Sequence, residues 1–328
     1  MVDKKYIDQL PAGRIAEQVN DSLCIIPRLV ITAPPGSGKS TLLPLTILDG
    51  LDKGRIIMLE PRRAAARQIA MRMSHMLGEP VGQTVGYRMR FDSKISGRTR
   101  IEVVTEGVME RILTDDSTLD GISIVIFDEY HERSLSSDLC LAMTLEAQNI
   151  IRPDLKIVIM SATIDTDFIC KRLAAPLIEA DGKMYDVNII NECDISRPDR
   201  VPEETAACIS RAYTGHPGNI LVFLPGQAEI VKCADLVSRA FPDAMVLPLY
   251  GQLSSVEQQR AIEYNLPDRR KIVLATPIAE TSLTIEGITV VIDSGLYRRV
   301  RYNPSSGLSV LVTERISLDM ARQRTGRA

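Results

Sequence analysis

Short apolar runs rich in Val and Ile alternate with longer amphipathic stretches along the whole chain. In the first half the runs are 28–32, 55–59, 101–105, 122–127 and 156–160; in the second they are 219–224, 245–250, 271–276 and 289–293. Each run is apolar at nearly every position rather than at every other one. That predicts strands covered on both faces, the pattern of parallel sheets. Strand and helix in alternation then predict an α/β fold of two doubly wound units in series. A polar, turn-rich stretch, Ala180-Asp181-Gly182-Lys183, is the predicted boundary, giving domains 1–182 and 183–328. Residues 191–204, rich in charge and proline, read as a surface connection within the second domain. Residues 296–312, turning through Asn303-Pro304-Ser305-Ser306-Gly307, read as a β-hairpin.

Composition narrows the classes. A chain of 328 residues with 45% hydrophobic content is expected to build about two ordinary domains. The net charge of −3 argues against a protein coated in nucleic acid but leaves room for a local basic groove. Six cysteines, at 24, 140, 170, 193, 208 and 233, show no C-x-x-C spacing and read as scattered buried thiols in a reducing compartment. No apolar stretch approaches the roughly 18 residues of a membrane span. The charged start, Asp3, Lys4 and Lys5, is unlike a signal peptide. A cytoplasmic protein is the expectation.

Two strand ends carry chemistry. After the first run stands Ala33-Pro34-Pro35-Gly36-Ser37-Gly38-Lys39-Ser40-Thr41, a phosphate-cradle loop with alanine in its first glycine position. Gly36 and Gly38 let backbone N–H groups around Ser37 turn toward phosphates. Lys39 can reach the β- and γ-phosphates, Ser40 can ligate Mg²⁺, and a helix predicted over 41–48 would point its positive end at the anion. After the run 122–127 stands Asp128-Glu129-Tyr130-His131. Asp128 would hold Mg²⁺ through water, Glu129 would orient and deprotonate the attacking water, and His131 would relay. Ligands of such sheets collect at the carboxyl ends of strands, where both motifs lie.

These residues resemble the DEAH-box helicases of superfamily 2, and the match continues in order. Glu60-Pro61-Arg62-Arg63-Ala64-Ala65-Ala66 resembles motif Ia, Thr105-Glu106-Gly107-Val108 motif Ib, and Asp128 to His131 motif II with tyrosine in place of alanine. Ser161-Ala162-Thr163 resembles motif III, Leu221 to Gly226 motif IV, Ala275 to Ile285 motif V and Gln323-Arg324-Thr325-Gly326-Arg327 motif VI. Val85 to Arg90 and His131 to Leu135 are most similar to the bacterial HrpB branch. The resemblance implies two tandem RecA-like P-loop domains, the first for ATP binding and the second the helicase C-terminal domain. It implies an ATP-dependent motor that moves along or unwinds nucleic acid, with single-stranded RNA as its partner, working as a monomer with ATP and Mg²⁺.

By the same resemblance, Arg62, Arg63 and Thr105 grip the strand from the first domain, with Gly226, Thr276 and Thr281 near it from the second. A sequence-neutral motor needs phosphate and sugar contacts, because base contacts would stall it. Ser161 and Thr163 would couple ATP state to strand grip. Gln323, Arg324 and Arg327 would reach the γ-phosphate across a cleft, where arginine stabilises transition-state charge. Arg72 would stack on the adenine. The family's second aromatic face is matched here by Ile262, which implies weak base selectivity and use of other NTPs. The hairpin would split or guide the strand.

Two departures stand out. Pro277 replaces an asparagine of motif V and removes a donor. Motif VI in the family runs two residues past Ala328 to another arginine and on to further domains, so a two-domain piece of a longer protein is expected, with weak hydrolysis and unwinding. DNA as the track, and a non-catalytic RNA-binding scaffold, are the alternatives.

Overall fold

The structure is a computed structural model that describes residues 3–34, 36–162, 166–180, 187–191, 198–266, 268–280 and 285–328. The chain divides into two compact units, Met1–Met184 and Tyr185–Ala328. Thr163, Thr281 and the predicted boundary residues Asp181, Gly182 and Lys183 lie outside the described residues.

Among the described residues of unit 1, eight strands form one sheet. They are β1 (Arg28–Thr32), β2 (Arg55–Leu59), β3 (Val85–Met89), β4 (Asp92–Lys94), β5 (Ile101–Val104), β6 (Ile122–Phe127), β7 (Lys156–Ser161) and β8 (Leu177–Glu179), in the order β4-β3-β5-β2-β6-β7-β1-β8. All neighbours run parallel except β3 and β4. Helices α1 (Lys4–Gln9), α2 (Ala16–Ile25), α3 (Leu42–Asp49), α4 (Arg63–Met76), α5 (Glu106–Asp115), α6 (Leu135–Ile150) and α7 (Thr166–Leu173) surround it. Two apolar cores result. Leu29, Ile31, Ile56, Met58 and Ile126 enter one; Val30, Ile57, Leu59, Val125 and Phe127 enter the other. Successive residues of a strand thus serve opposite faces, which is why the runs are apolar throughout.

Unit 2 carries a four-stranded parallel sheet, β9 (Asn219–Phe223), β10 (Met245–Leu249), β11 (Lys271–Ala275) and β12 (Ile288–Asp293), ordered β10-β11-β9-β12. Around it lie α8 (Val201–Gly215), α9 (Gln227–Ala240), α10 (Ser255–Glu263) and α11 (Leu318–Thr325). The expected hairpin is present as β13 (Leu296–Asn303) and β14 (Leu308–Arg315) in antiparallel register. It forms a separate two-stranded sheet.

Three expectations needed correction. Strand β3 escaped the periodicity because Gly86 and Arg88 interrupt its apolar run, and β4 is too short and polar to read as a strand. Residues 201–204 open helix α8 rather than continue a loop: Pro202 sits in its first turn and Glu203 and Glu204 follow, the placement that suits proline and acids at a helix start. Among the described cysteines, Cys140 and Cys233 are buried but Cys24 is exposed. No helix among the described residues is long and apolar enough to cross a membrane.

Candidate active site of unit 1

The order β6-β7-β1 brings three strand ends together. From them emerge Asp128 to His131, Ser161 and the loop from Ala33. Gly36 and Gly38 hold φ values of +75° and +91°, the region open to glycine. At Gly38 a Cβ would also approach Leu10 Cδ1 to 2.9 Å. The Gly38 carbonyl accepts from Thr41 N at 3.2 Å and Leu42 N at 2.7 Å, and Ser37 O accepts from Ala12 N at 2.9 Å. The N-terminal segment therefore seats the loop. Helix α3 begins at Leu42, with Thr41 as its cap, one residue later than expected.

Lys39 is buried, with Nζ 3.3 Å from Glu129 Oε1 and 3.6 Å from Asp128 Oδ1. Burial opposes its charge, but the Glu129 and Asp128 carboxylates together outweigh that and hold its pKa above the ordinary lysine value. Burial pushes the Asp128 carboxyl up to about 6, against the Lys39 charge. Asp128 Oδ1 accepts from Glu129 N at 2.9 Å. Asp128 Oδ2 and Ser37 Oγ are buried without a hydrogen-bond partner among the described residues, and a hydrogen bond from Ser40 reaches Asp128. An orphaned carboxylate oxygen beside a serine hydroxyl is a hard-oxygen set that fits Mg²⁺ shared with phosphates. No group of three or more His, Cys, Asp or Glu among the described residues could hold a metal ion unaided.

Glu129 sits at φ +47° and Arg133 at φ +48°, flanking the single turn Tyr130–Glu132. Two side-chain-bearing residues in the left-handed region mark a backbone held by its surroundings. His131 Nδ1 stands 3.4 Å from Glu129 Oε2 and 3.1 Å from Ser161 Oγ, joining motif II to motif III. Tyr130 explains its departure from alanine: its hydroxyl donates to Asp138 Oδ1 at 2.8 Å and its ring meets Phe127 edge-on. It pins the turn to α6.

Two residues near the site were missed as functional groups. Glu60, fully buried at the end of β2, accepts from Arg62 N at 3.1 Å. Burial, then the charges of Asp128, Glu129 and Glu132, raise its carboxyl well above the ordinary range. An acid that directly ends a four-residue apolar strand core was the available signal. The other is Tyr6, whose ring lies 5.7 Å from the Arg72 guanidinium. That contact brings together segments far apart in sequence.

The expected strand-binding residues of unit 1 line a neighbouring edge. Arg62 caps α4 and its Nε lies 3.0 Å from Glu132 Oε1. Arg63 Nη2 donates to Arg90 O at 2.9 Å. Thr105 caps α5 and is buried. In unit 2, Gly226 caps α9 in extended backbone, and a Cβ there would collide with the Arg298 guanidinium, which pairs with Glu229 at 2.7 Å. Thr276 precedes the turn Pro277–Ala279. Gln323 is buried, and Arg327 donates to Glu280 O from Nε at 3.0 Å and Nη2 at 2.7 Å.

Arg324 is held by acids of its own unit. It is 0% exposed, with Nη1 2.6 Å from Asp293 Oδ1, Nε 3.3 Å from Glu280 Oε2, and its guanidinium over the Phe223 ring. Its Nε and Nη1 are engaged inside unit 2, while Nη2 is buried without a hydrogen-bond partner among the described residues.

A P-loop lysine after β1 facing an Asp-Glu pair after β6, with the parallel strand β7 between them, defines a P-loop nucleotide-binding class. Family comparisons agree. Residues 14–169 match the DEAD/DEAH box helicase model and residues 204–328 the helicase conserved C-terminal domain. The chain is 43% identical over 326 residues to the ATP-dependent RNA helicase HrpB of Escherichia coli, covering 98% of this chain and 40% of that protein. It is 36% identical to the ATP-dependent RNA helicase DHX33 of Mus musculus, over 97% of this chain and 48% of the relative. The crystal structure of Escherichia coli DEAH/RHA helicase HrpB superposes with a TM-score of 0.89 at 42% identity, covering 97% of this chain and 41% of that one. The chain belongs to the DEAD/DEAH box helicases, and it spans about two fifths of the length of HrpB.

Proposed function

We propose that this chain is the two-domain motor of an ATP-dependent RNA helicase in the cytoplasm, hydrolysing ATP with Mg²⁺ to move along single-stranded RNA or to unwind paired strands. The observation that carries the reading is the buried Lys39 ammonium held by Glu129 and Asp128 at the mouth of a glycine-built phosphate loop. Relatives named as ATP-dependent RNA helicases support RNA as the track.

In this reading the Gly36–Lys39 backbone and the Lys39 ammonium bind the β- and γ-phosphates, Arg72 meets the base, and Ser40 and Asp128 hold Mg²⁺. The metal supplies charge neutralisation on the phosphates when bound. As Lys39 turns to phosphate it releases its hold on the Glu129 carboxylate, which then takes a proton from the attacking water. His131, between Glu129 and Ser161, fixes the direction of that carboxylate. Gln323 and Arg327 are proposed transition-state groups, with Arg324 as their brace. Arg62, Arg63, Thr105, Gly226, Thr276 and Thr281 are proposed to hold the RNA backbone.

Glu129→Gln tests it. Hydrolysis should fall by about 10²–10⁴, read by phosphate release. Affinity for a labelled nucleotide and for single-stranded RNA should persist. An unchanged rate would sink the assignment, and a matched DNA strand that binds and stimulates better than RNA would move the track to DNA.

A further inference from the structure

Glu132 lies between the nucleotide acids and the motif Ia arginines, and no role above accounts for it. Arg62 Nε is 3.0 Å from Glu132 Oε1 and donates to Oε2 at 3.3 Å. The two side chains are 26% and 22% exposed, so a solvent-borne phosphate can reach the pair. Glu132 N donates to Glu129 O at 2.9 Å, which closes the turn that positions the Glu129 carboxylate. The far end of the same turn is tied as well: Ser134 Oγ donates to a carboxylate oxygen of Glu106, the residue after Thr105. The strained turn is thus held on one side by Lys39 and on the other by motifs Ia and Ib.

We propose that Glu132 is a positioning residue that occupies the place of an RNA phosphate on Arg62, and that strand binding displaces it and resets the Glu129 turn. The inference rests on the reading of this chain as an RNA-stimulated ATPase. Magnitudes favour the exchange. A partly exposed ion pair contributes about 1 kcal/mol or less, whereas a phosphate contact also gains from counterion release and from the neighbouring Arg63. The carboxylate freed from Arg62 no longer pulls on its end of the turn. RNA contact and hydrolysis would then communicate inside unit 1, through one short turn.

The test uses Glu132→Gln, Arg62→Ala and the double variant in the full 328-residue chain, with a labelled single-stranded oligouridine as probe. Glu132→Gln should bind it about five-fold tighter without nucleotide, with the gain shrinking as salt rises. RNA stimulation of hydrolysis should fall several-fold toward no stimulation. A merely structural role would move both readouts downward, whereas competition moves them in opposite directions. In the Arg62→Ala background the affinity gain should vanish. Unchanged or weaker RNA binding by a folded Glu132→Gln protein overturns the proposal, and so does an equal gain in the Arg62→Ala background. If Glu132→Gln does not melt as a folded protein, Glu132→Asp, which keeps the charge but shortens the reach, carries the same expectations and the same refutation. A wild-type chain that does not bind the oligouridine overturns the functional reading and this inference together; a wild-type chain that binds it while the variants bind no tighter overturns this inference alone.

Discussion

Both units bury charged groups at the ends of their parallel strands, but they balance them differently. In unit 1, Lys39 is the buried cation beside Glu129, Asp128 and Glu60, and burial pushes Asp128 and Glu60 upward in pKa, against the Lys39 charge at Asp128. One Asp128 oxygen has no partner among the described residues. In unit 2, Arg324 is clasped by Glu280 and Asp293 and lies over an aromatic ring. Excess buried acid with an unused oxygen describes a site that gains from a cation and phosphates. An arginine whose Nε and Nη1 are engaged by acids of its own domain, with Nη2 buried and unpartnered among the described residues, is held in place by that domain before any ligand arrives. Burial of charge alone therefore does not identify a catalytic group; what matters is whether its partners are supplied from within.

The strongest challenge to this contrast is Arg324→Met. It would leave Glu280 and Asp293 without their cation, and the expected cost is about 3–5 kcal/mol, seen as loss of the thermal transition of unit 2. Nucleotide binding by the P-loop should survive wherever unit 1 remains folded. If instead the variant melts like wild type and only hydrolysis disappears, Arg324 acts on the nucleotide and the contrast fails.

Glu60→Gln sharpens the other half. Burial and neighbouring acids make folded Glu60 hold its proton above the ordinary carboxylate range, while the unfolded chain releases it there. Stability is therefore lost as pH rises from the unfolded toward the folded pKa. Glutamine keeps a carbonyl for Arg62 N but cannot ionise. Its melting temperature should rise relative to wild type as pH climbs above the ordinary carboxylate range; a gap that stays constant with pH would show that Glu60 carries no such strain. The smallest expected effect is that of Tyr6→Ala. Removing the ring beneath Arg72 should raise KM for ATP by about two- to five-fold with kcat unchanged, and a kcat effect would contradict a purely base-side role.

Much of this was legible along the chain. The mostly apolar runs predicted parallel strands because a strand covered on both faces has no polar side to display, and β1, β2, β6 and β9 carry that pattern through their central residues. The loop from Gly36 to Ser40 and the tetrad from Asp128 to His131 were legible because their spacing is local. Strand β3 was not, since Gly86 and Arg88 hide its apolar positions. Nor were the partners of Arg324, because a motif gives a residue's identity and not the direction of its side chain.

The amino-acid sequence by itself determined two α/β units, a phosphate loop, an acid pair and the order of the family's motifs, all features written within a few consecutive residues. Only the tertiary structure decided that β7 lies between β6 and β1, so that His131 meets Ser161. It also decided that Glu132 pairs with Arg62, that Glu60 joins the nucleotide acids, and that Arg324 faces inward. Those outcomes depend on which strand ends become neighbours, and that is set by packing two apolar faces across a whole sheet rather than by any short stretch of chain.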